Sequence, residues 1–214
     1  MSEFLAHSIT IMPALLSALL KTLQLAVISA VLGIPLGLMA SLGRISKSRI
    51  LGLIASGYVT LFRGTPLMLQ VLFFWGVFSQ LEGFTAALIA FTLNSGAYTA
   101  EIMRAAIQSI DKGQMEAARS LGMSYGQAMR RVILPQTYRR LLPPLVNELA
   151  ALTKDTSLAM VVGVVELMKQ SQQFVARTAN VAGTYVWAAL FYLVMVVALT
   201  ALANRLEKKL EARG

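Results

Sequence analysis

Charged and polar side chains interrupt long apolar stretches of this sequence at three places, and these residues are the first candidates for contact with a ligand. They lie in residues 62–66, 94–101 and 154–155. An ionised group at bilayer depth costs roughly 2.5–3.5 kcal/mol on insertion scales, so such groups normally face a bundle interior or a water-filled pathway. The three places therefore predict either a transport route for a polar solute or an ion-pair network inside a helix bundle.

The first place, FRGTP at residues 62–66, predicts a break inside a membrane helix. It follows Arg49 by about 13 residues, which is ~20 Å along a helix. We expect Thr65 to be the N-cap and Pro66 the first residue of a second half-helix. Free N–H groups at such a break attract anionic substrate groups, so Arg63 to Thr65 are candidates for an anion-favouring site. The alternative is a packing kink from which Arg63 extends towards water.

The second and third places supply further polar candidates. Asn94, Tyr98 and Glu101 have the spacing i, i+4 and i+7, which places them near one face of a helix, and Arg104 follows as a local ion-pair partner. Lys154 and the aspartate after it are adjacent, so on a helix they do not face each other. We expect Lys154 to pair with Glu101 across helices. This pair lines a substrate route or, alternatively, fixes the register of the bundle.

The uncharged runs predict an all-α integral membrane protein with about five transmembrane helices. These runs cover residues 22–43, 64–81, 83–100 and 178–204, and each reaches the roughly 18–20 residues needed to cross a bilayer. The spans are helical because lipid leaves no partner for unpaired backbone groups. Residues 1–20 are predicted to form a separate segment near the membrane interface. The predicted spans are about 15–42, 50–79 (broken at 62–66), 83–107, a fourth from about 141 that contains Glu148, Lys154, Asp155 and Glu166, and 178–202.

The distribution of Lys and Arg predicts the orientation of this single domain, residues 1–214. Basic residues concentrate in the loop after the first span, in the polar stretch 108–140 and in the C-terminal tail, whereas the opposite side offers only Lys169 and Arg177. Because Lys and Arg accumulate in cytoplasmic loops, we expect the N-terminus outside and the C-terminus in the cytoplasm. The same rule explains the net charge of +9 without a nucleic-acid partner.

Several chemistries are absent from the sequence. There is no phosphate-binding G-x-x-x-x-G-K-[ST] motif, no cluster of His, Cys and carboxylates with metal-ligand spacing, and no cysteine. No nucleophile has an evident base. The sequence therefore predicts a membrane protein that is not an enzyme and binds no metal, and it places any nucleotide site on another chain.

A short polar helix is predicted in the long cytoplasmic loop. Asp111 with Gln114 has the spacing of an N-terminal capping pair, and Gly122 suits the left-handed position after a helix. A second capping box at residues 124–127 opens another helix, which we expect to end about Pro135. Ala117, Ala118 and Leu121 share one face by their spacing. That face fits a groove on another protein or, alternatively, rests on lipid headgroups.

The twenty residues EAARSLGMSYGQAMRRVILP, 116–135, resemble the EAA signature of permeases of ATP-binding-cassette (ABC) importers. That pattern is E-A-A, three residues, Gly, nine residues, Ile, any residue and Leu-Pro, and Val132 stands here in place of Ile. The segments TLQLAVISAVLGIPLGL, FRGTPLMLQ, LNSGAYTAEIMRAAIQSIDKGQ and LPPLVNELAALTKDTSLA extend the resemblance to the polar amino acid uptake subfamily, which has a type I importer fold. In that family the EAA helix, about 112–122 here, docks into the ATPase. The implied coupling residues are Glu116, Ala117, Ala118, Leu121, Gly122 and Pro135.

The resemblance implies a multi-pass permease subunit of the cell (inner) membrane, part of an ATP-driven importer for polar amino acids. Its expected partners are two ABC ATPase subunits that bind ATP and Mg²⁺, a second identical or similar permease, an external substrate-binding protein and the lipid bilayer. The alternatives are an ion-coupled secondary amino acid transporter and a structural membrane protein whose charges hold helices together. The candidate pathway residues are Arg63, Thr65, Pro66, Met68, Asn94, Tyr98, Glu101, Lys154, Asp155, Ser157 and Met160.

Overall fold

The computed structural model describes residues 2–78 and 80–211, with the side chains of residues 8–78 and 80–209. All the secondary structure in this part of the chain is helical, which confirms the predicted all-α class. The helices in chain order are α1 (Ser2–Ile45), α2 (Arg49–Gly64), α3 (Leu67–Val77), α4 (Gly83–Gln108), α5 (Lys112–Ser120), α6 (Tyr125–Ala128), a π-helical turn (Met129–Ile133), α7 (Leu134–Asp155), a 3-10 helix (Thr156–Val162), α8 (Leu167–Thr178) and α9 (Val181–Glu211).

Helix α4 lies at the centre of the bundle and contacts α1, α2, α3 and α7. The G-x-x-x-G spacing of Gly33 and Gly37 in α1 predicts close helix packing, and the structure confirms it. A Cβ atom added to Gly37 would lie 2.6 Å from Cβ of Thr99 on α4, and one added to Gly33 would lie 3.0 Å from the backbone nitrogen of Gly96. The two backbones therefore approach to a distance that only glycine permits.

Among the described residues, two helical stretches are long and apolar enough to cross a membrane by themselves, Ser8–Ile45 and Val181–Lys209. The bent pair α2–α3 counts as a third when taken as one span. Helices α4 and α7 have 26 and 22 residues, or ~39 and ~33 Å at 1.5 Å per residue, so they too have membrane length. Half of the residues of α4 are buried, so this helix needs few lipid-compatible side chains.

The first twenty residues differ from the prediction. Residues 2–20 are the first part of the continuous helix α1, not a separate segment. Two of their apolar side chains pack inward, because Ile11 and Leu15 are fully buried in a cluster with Leu167 of α8 and Met195 of α9. This contact holds the start of α1 against the two C-terminal helices.

The fourth predicted span also needs correction. Helix α7 begins at Leu134 instead of about 141 and ends at Asp155, so it excludes Glu166. The buried carboxylate of Glu166 caps α8, accepting hydrogen bonds from the backbone N–H groups of Met168 (2.8 Å) and Lys169 (2.7 Å). Gly163, with φ of +82°, is the C-cap of the 3-10 helix that follows α7.

Candidate functional site

The helix break at residues 62–66 forms as predicted. Helix α2 ends at Gly64, α3 begins at Leu67, and the two axes differ by 105°. The predicted capping is wrong, because Pro66 occupies the N-cap position of α3 and Thr65 the C-cap position of α2. A residue before proline is driven to extended geometry, and the hydroxyl of Thr65 donates back to the carbonyl oxygen of Leu61 at 2.8 Å.

Two buried amide side chains bind the carbonyl groups that the break leaves free. The amide nitrogen of Gln70 donates to the carbonyl oxygens of Phe62 (2.9 Å) and Thr65 (3.1 Å) and to the hydroxyl of Thr65 (2.9 Å). Asn94 of α4 donates to the same Phe62 oxygen at 2.8 Å and to Oε1 of Gln70 at 3.3 Å. Sequence analysis missed Gln70, although an amide four residues after Pro66 in an apolar helix was a usable signal.

Three arginines from three helices surround Glu101. Its carboxylate binds Arg44 at the end of α1 and Arg104 on its own helix, where Nε of Arg104 lies 3.1 Å from Oε1. Arg63 from the end of α2 lies at 3.7 Å. The guanidinium carbon of Arg63 also lies 4.9 Å from the ring centroid of Tyr98, a cation–π distance. With three guanidinium groups to one carboxylate, the cluster has an excess of positive charge.

The predicted pairing of Lys154 with Glu101 is wrong, since the ion partners of Glu101 among the described side chains are those three arginines. The reason is depth along the bundle. Glu101 lies ~10 Å from the end of α4 that leads to α5, whereas Lys154 lies ~30 Å from the end of α7 on that side, at 1.5 Å per residue. Arg44 was predicted only as a loop charge, and its role in this cluster could not be read from a separation of 57 residues.

The other predicted pathway residues differ in exposure. Asn94 is buried at the back of the break, and its amide nitrogen is engaged by Phe62 and Gln70. Exposed side chains of the set belong to Arg63, Pro66, Met68, Tyr98, Lys154 and Asp155, and half-buried ones to Thr65, Glu101, Ser157 and Met160.

The predicted short helix forms, but only one member of its predicted N-terminal capping pair acts as a cap, because Oε1 of Gln114 accepts a hydrogen bond from Nε2 of Gln136 at 3.2 Å instead. Asp111 accepts a hydrogen bond from the backbone N–H of Gly113 at 2.7 Å and so caps the start of α5. At the other end the N–H of Gly122 donates to Arg119 (3.0 Å) and that of Met123 to Ala118 (3.2 Å), which is the Schellman pattern. Gly122 has φ of +84°, the left-handed geometry expected of it.

The outer face of α5 differs in one residue from the prediction. Ala118 is only 4% exposed and faces its own chain, so it does not share a free face with Ala117 and Leu121. Of the predicted coupling residues on this helix, Glu116, Ala117 and Leu121 are exposed, and Leu121 is 80% exposed. The free surface therefore has a large apolar group at the C-cap of the helix, an alanine one turn earlier and an acidic group next to that alanine.

The second capping box is confirmed, and the helix end predicted at Pro135 is wrong. Ser124 and Gln127 exchange hydrogen bonds of 2.8 and 3.3 Å at the start of α6. The chain then continues through the π-helical turn into α7. The N–H of Leu134 bonds five residues back to Met129, and this wider turn accommodates the ring and the missing N–H of Pro135.

Comparison with known proteins identifies a family and similar permeases from bacteria. Residues 33–213 match the family described as "binding-protein-dependent transport system inner membrane component". The arginine transport system permease ArtQ of Bacillus subtilis (strain 168) is 42% identical over 205 residues, 94% of each chain. The glutamine transport system permease GlnP of Escherichia coli (strain K12) is 37% identical over 207 residues, 93% of this chain and 94% of GlnP.

Two solved structures share the fold. A crystal structure of an amino acid ABC transporter with histidines superposes with a TM-score of 0.92 at 36% identity, covering 96% of this chain and 98% of that chain. An inward-facing MetNI methionine ABC transporter superposes with a TM-score of 0.78 at 20% identity, covering 93% of this chain and 97% of that chain. The second match shows the fold alone.

Proposed function

This chain belongs to the family of binding-protein-dependent transport system inner membrane components, and we propose that it is the permease through which an ATP-driven importer takes up polar amino acids. It is a multi-pass inner-membrane protein with the type I ABC importer fold. It is a transport subunit and not an enzyme, and ATP is hydrolysed on a separate ABC ATPase subunit. The relatives favour this class over an ion-coupled secondary transporter.

The observation that carries the proposal is the free outer face of α5. Leu121 is 80% exposed at the end of a helix that is capped at both ends, so α5 presents an apolar side chain that a partner can bury. A short helix of this kind fits a groove on another protein. Helix α5 follows α4 after three residues, Ser109, Ile110 and the N-cap Asp111, and leads through α6 into α7. When the ATPase moves α5, it therefore also moves the two spans α4 and α7. Glu116, Ala117 and Leu121 provide the contact with a groove on the ATPase, and Gly122 fixes the orientation of α5.

The substrate route in this proposal passes the helix break. Non-helical backbone at membrane depth is tolerated only where it is buried in protein or lines water, so a second permease copy and an aqueous pathway cover residues 62–66. The positive cluster around Glu101 and Arg63 favours the α-carboxylate common to amino acids. The proposed lining comprises Arg63, Thr65, Pro66, Met68, Tyr98, Glu101, Lys154, Asp155, Ser157 and Met160, with Asn94 behind it.

The remaining partners complete the proposed assembly. Two permease copies, identical or similar, bind two ATPase subunits that hold ATP and Mg²⁺. An external binding protein delivers the amino acid to the outer side. ATP-driven closure of the ATPases then shifts the equilibrium between two access states, because each state binds the partners differently.

The test is reconstitution with the partner ATPase and binding protein in proteoliposomes. We expect uptake of radiolabelled arginine or glutamine that requires ATP, and we expect Glu116→Lys to abolish both co-purification with the ATPase and uptake. Glu207→Lys, the same charge reversal at an exposed position of α9, serves as the control and should retain both. ATP-independent uptake by the permease alone would instead establish a secondary transporter.

A further inference from the structure

The break between α2 and α3 is tied to α4 by side chains that the proposed pathway does not use. The last carbonyl groups of a helix have no partner within it, and Pro66 supplies no N–H to the ones at this break. Gln70 and Asn94 fill that need with three donor contacts of 2.8–3.1 Å to the carbonyl oxygens of Phe62 and Thr65, and Gln70 makes a fourth contact, of 2.9 Å, to the hydroxyl of Thr65. Both amides are more than nine-tenths buried, so water does not replace these contacts.

The two amides form a chain across three helices. Asn94 reaches from α4 to the end of α2 and to Gln70, and Gln70 reaches from α3 back to the break. Directly beside them the hydroxyl of Tyr58 on α2 donates to the carbonyl oxygen of Leu93 on α4 at 2.6 Å. The position of the break relative to α4 is therefore fixed by directional hydrogen bonds as well as by apolar packing.

The other end of α4 leads to α5, the coupling helix that we propose docks on the ATPase. After Gln108 only Ser109 and Ile110 separate α4 from the Asp111 cap of α5. Arg140 of α7 donates to both oxygen atoms of Ser109, with 3.1 Å to the hydroxyl, so the connection is held on a second side. One continuous helix of 26 residues thus joins the surface proposed for the ATPase to the amides at the break.

We propose that Asn94 and Gln70 are positioning residues that transmit the movement of α4 to the α2–α3 break during transport. This inference rests on the proposed function. When α5 moves with the ATPase, α4 carries Asn94, and the hydrogen bonds to Phe62 and Gln70 make the break follow. Arg63, the residue after Phe62, is displaced with it, so the positive group on the pathway changes place together with the coupling helix.

The experiment compares isosteric apolar variants in the complex with ATPase and binding protein, using radiolabelled arginine and glutamine as probes. Asn94→Leu and Gln70→Met should keep ATP hydrolysis within about twofold of the native rate. Amino acid transported per ATP should fall roughly tenfold, equivalent to about 1.4 kcal/mol. The control is Thr92→Val, a buried side chain two residues before Asn94 whose hydroxyl has no hydrogen-bond partner within the described residues, and it should keep the native ratio.

A spectroscopic readout separates movement from stability. The chain has no cysteine, and a Cβ atom added at Gly64 meets no atom within 4 Å, so Gly64→Cys carries one nitroxide per copy of this chain at the break. We expect a non-hydrolysable ATP analogue to change its line shape in the complex. That response should be lost with Asn94→Leu and retained with Thr92→Val. If Asn94→Leu does not assemble, Asn94→Thr, which keeps a shorter donor, takes its place in both measurements.

The outcomes distinguish the two proposals. Native ATP-driven uptake together with an unchanged transport-to-ATP ratio in the Asn94 and Gln70 variants overturns this inference alone, since the amides then only stabilise the fold. A native complex that shows no ATP-dependent uptake of these two probes or of any other polar amino acid contradicts the proposed function. A fall in amino acid transported per ATP, together with loss of the nitroxide response in the same variants, supports the inference.

Discussion

The left-handed turn after α5 gives a sharp prediction because two glycines near it, Gly122 and Gly126, differ in backbone geometry. An added Cβ meets no atom within 4 Å at Gly122 or at Gly126, so neither substitution causes a clash. Gly122 has φ of +84°, whereas Gly126 lies inside α6. The comparison of Gly122→Ala with Gly126→Ala therefore isolates the cost of left-handed backbone geometry.

The magnitude follows from that geometry. A side chain in the left-handed region costs roughly 1–2 kcal/mol, which corresponds to a 5- to 30-fold change in an equilibrium. At Gly126 the same replacement should be neutral or stabilising by about 0.4–1 kcal/mol, because it restricts the unfolded chain. We expect Gly122→Ala, and more strongly Gly122→Val, to open the last turn of α5 and to release the hydrogen bond from Met123 to Ala118.

The assay is amide hydrogen exchange of the permease in lipid nanodiscs, followed on peptides that cover residues 118–124. Exchange there should rise about 5- to 30-fold in Gly122→Ala and stay level or fall in Gly126→Ala. In the reconstituted importer, the Gly122 variants should lower transport per ATP more than they lower membrane insertion. Equal exchange in both alanine variants would refute the assignment of strain to Gly122. Raised exchange with unaltered coupling would show that the ATPase does not need this turn.

Two further predictions concern the bundle itself. Gly37→Val should lower the thermal midpoint of the purified permease, because an added Cβ lies 2.6 Å from Thr99 and overpacking costs typically about 1–3 kcal/mol. The control is Gly57→Val, since a Cβ added at Gly57 meets no atom within 4 Å. An equal shift of the midpoint in both variants would contradict the packing argument. Glu101→Gln should also lower the midpoint, because three guanidinium groups lose their shared anion. The loss of stability should be smaller than the about 3–5 kcal/mol that breaking a fully buried pair costs. Adding Arg104→Gln should restore part of the loss, and a midpoint unaffected by Glu101→Gln would argue against the cluster.

The features that could be predicted from sequence are those set within a few residues. Pro66 restricts its neighbour, Asp111 caps the next turn, and Gly122 accepts a conformation that other residues avoid. The helix break and the bounds of α5 follow from these local rules. The same rules misplace the end at Pro135, because a π-helical turn can accommodate a proline that an α-helix would not.

The partners of polar side chains could not be predicted in this way. Arg44 precedes Glu101 by 57 residues, and the sequence offered Lys154 as an equally charged partner. The choice between them depends on depth along antiparallel helices, which appears only when the bundle is assembled. Ala118 shows the same limit. Its spacing with Ala117 and Leu121 predicts a shared helix face, but it does not tell which of these residues the rest of the chain buries.

Helix α4 explains why hydropathy alone recognised fewer spans than the fold contains. It is the most enclosed long helix, with buried Thr92, Asn94, Ser95 and Thr99 along its length, whereas α9 exposes apolar side chains over most of its span. Hydropathy therefore follows the exposure of apolar side chains on each helix, and the helix that the chain itself buries most is free to carry amides, hydroxyls and a carboxylate. Because α4 leads to α5 and contacts both halves of the broken helix, the polar residues that weaken its membrane signal include the one, Asn94, that we propose links the ATPase side to the pathway.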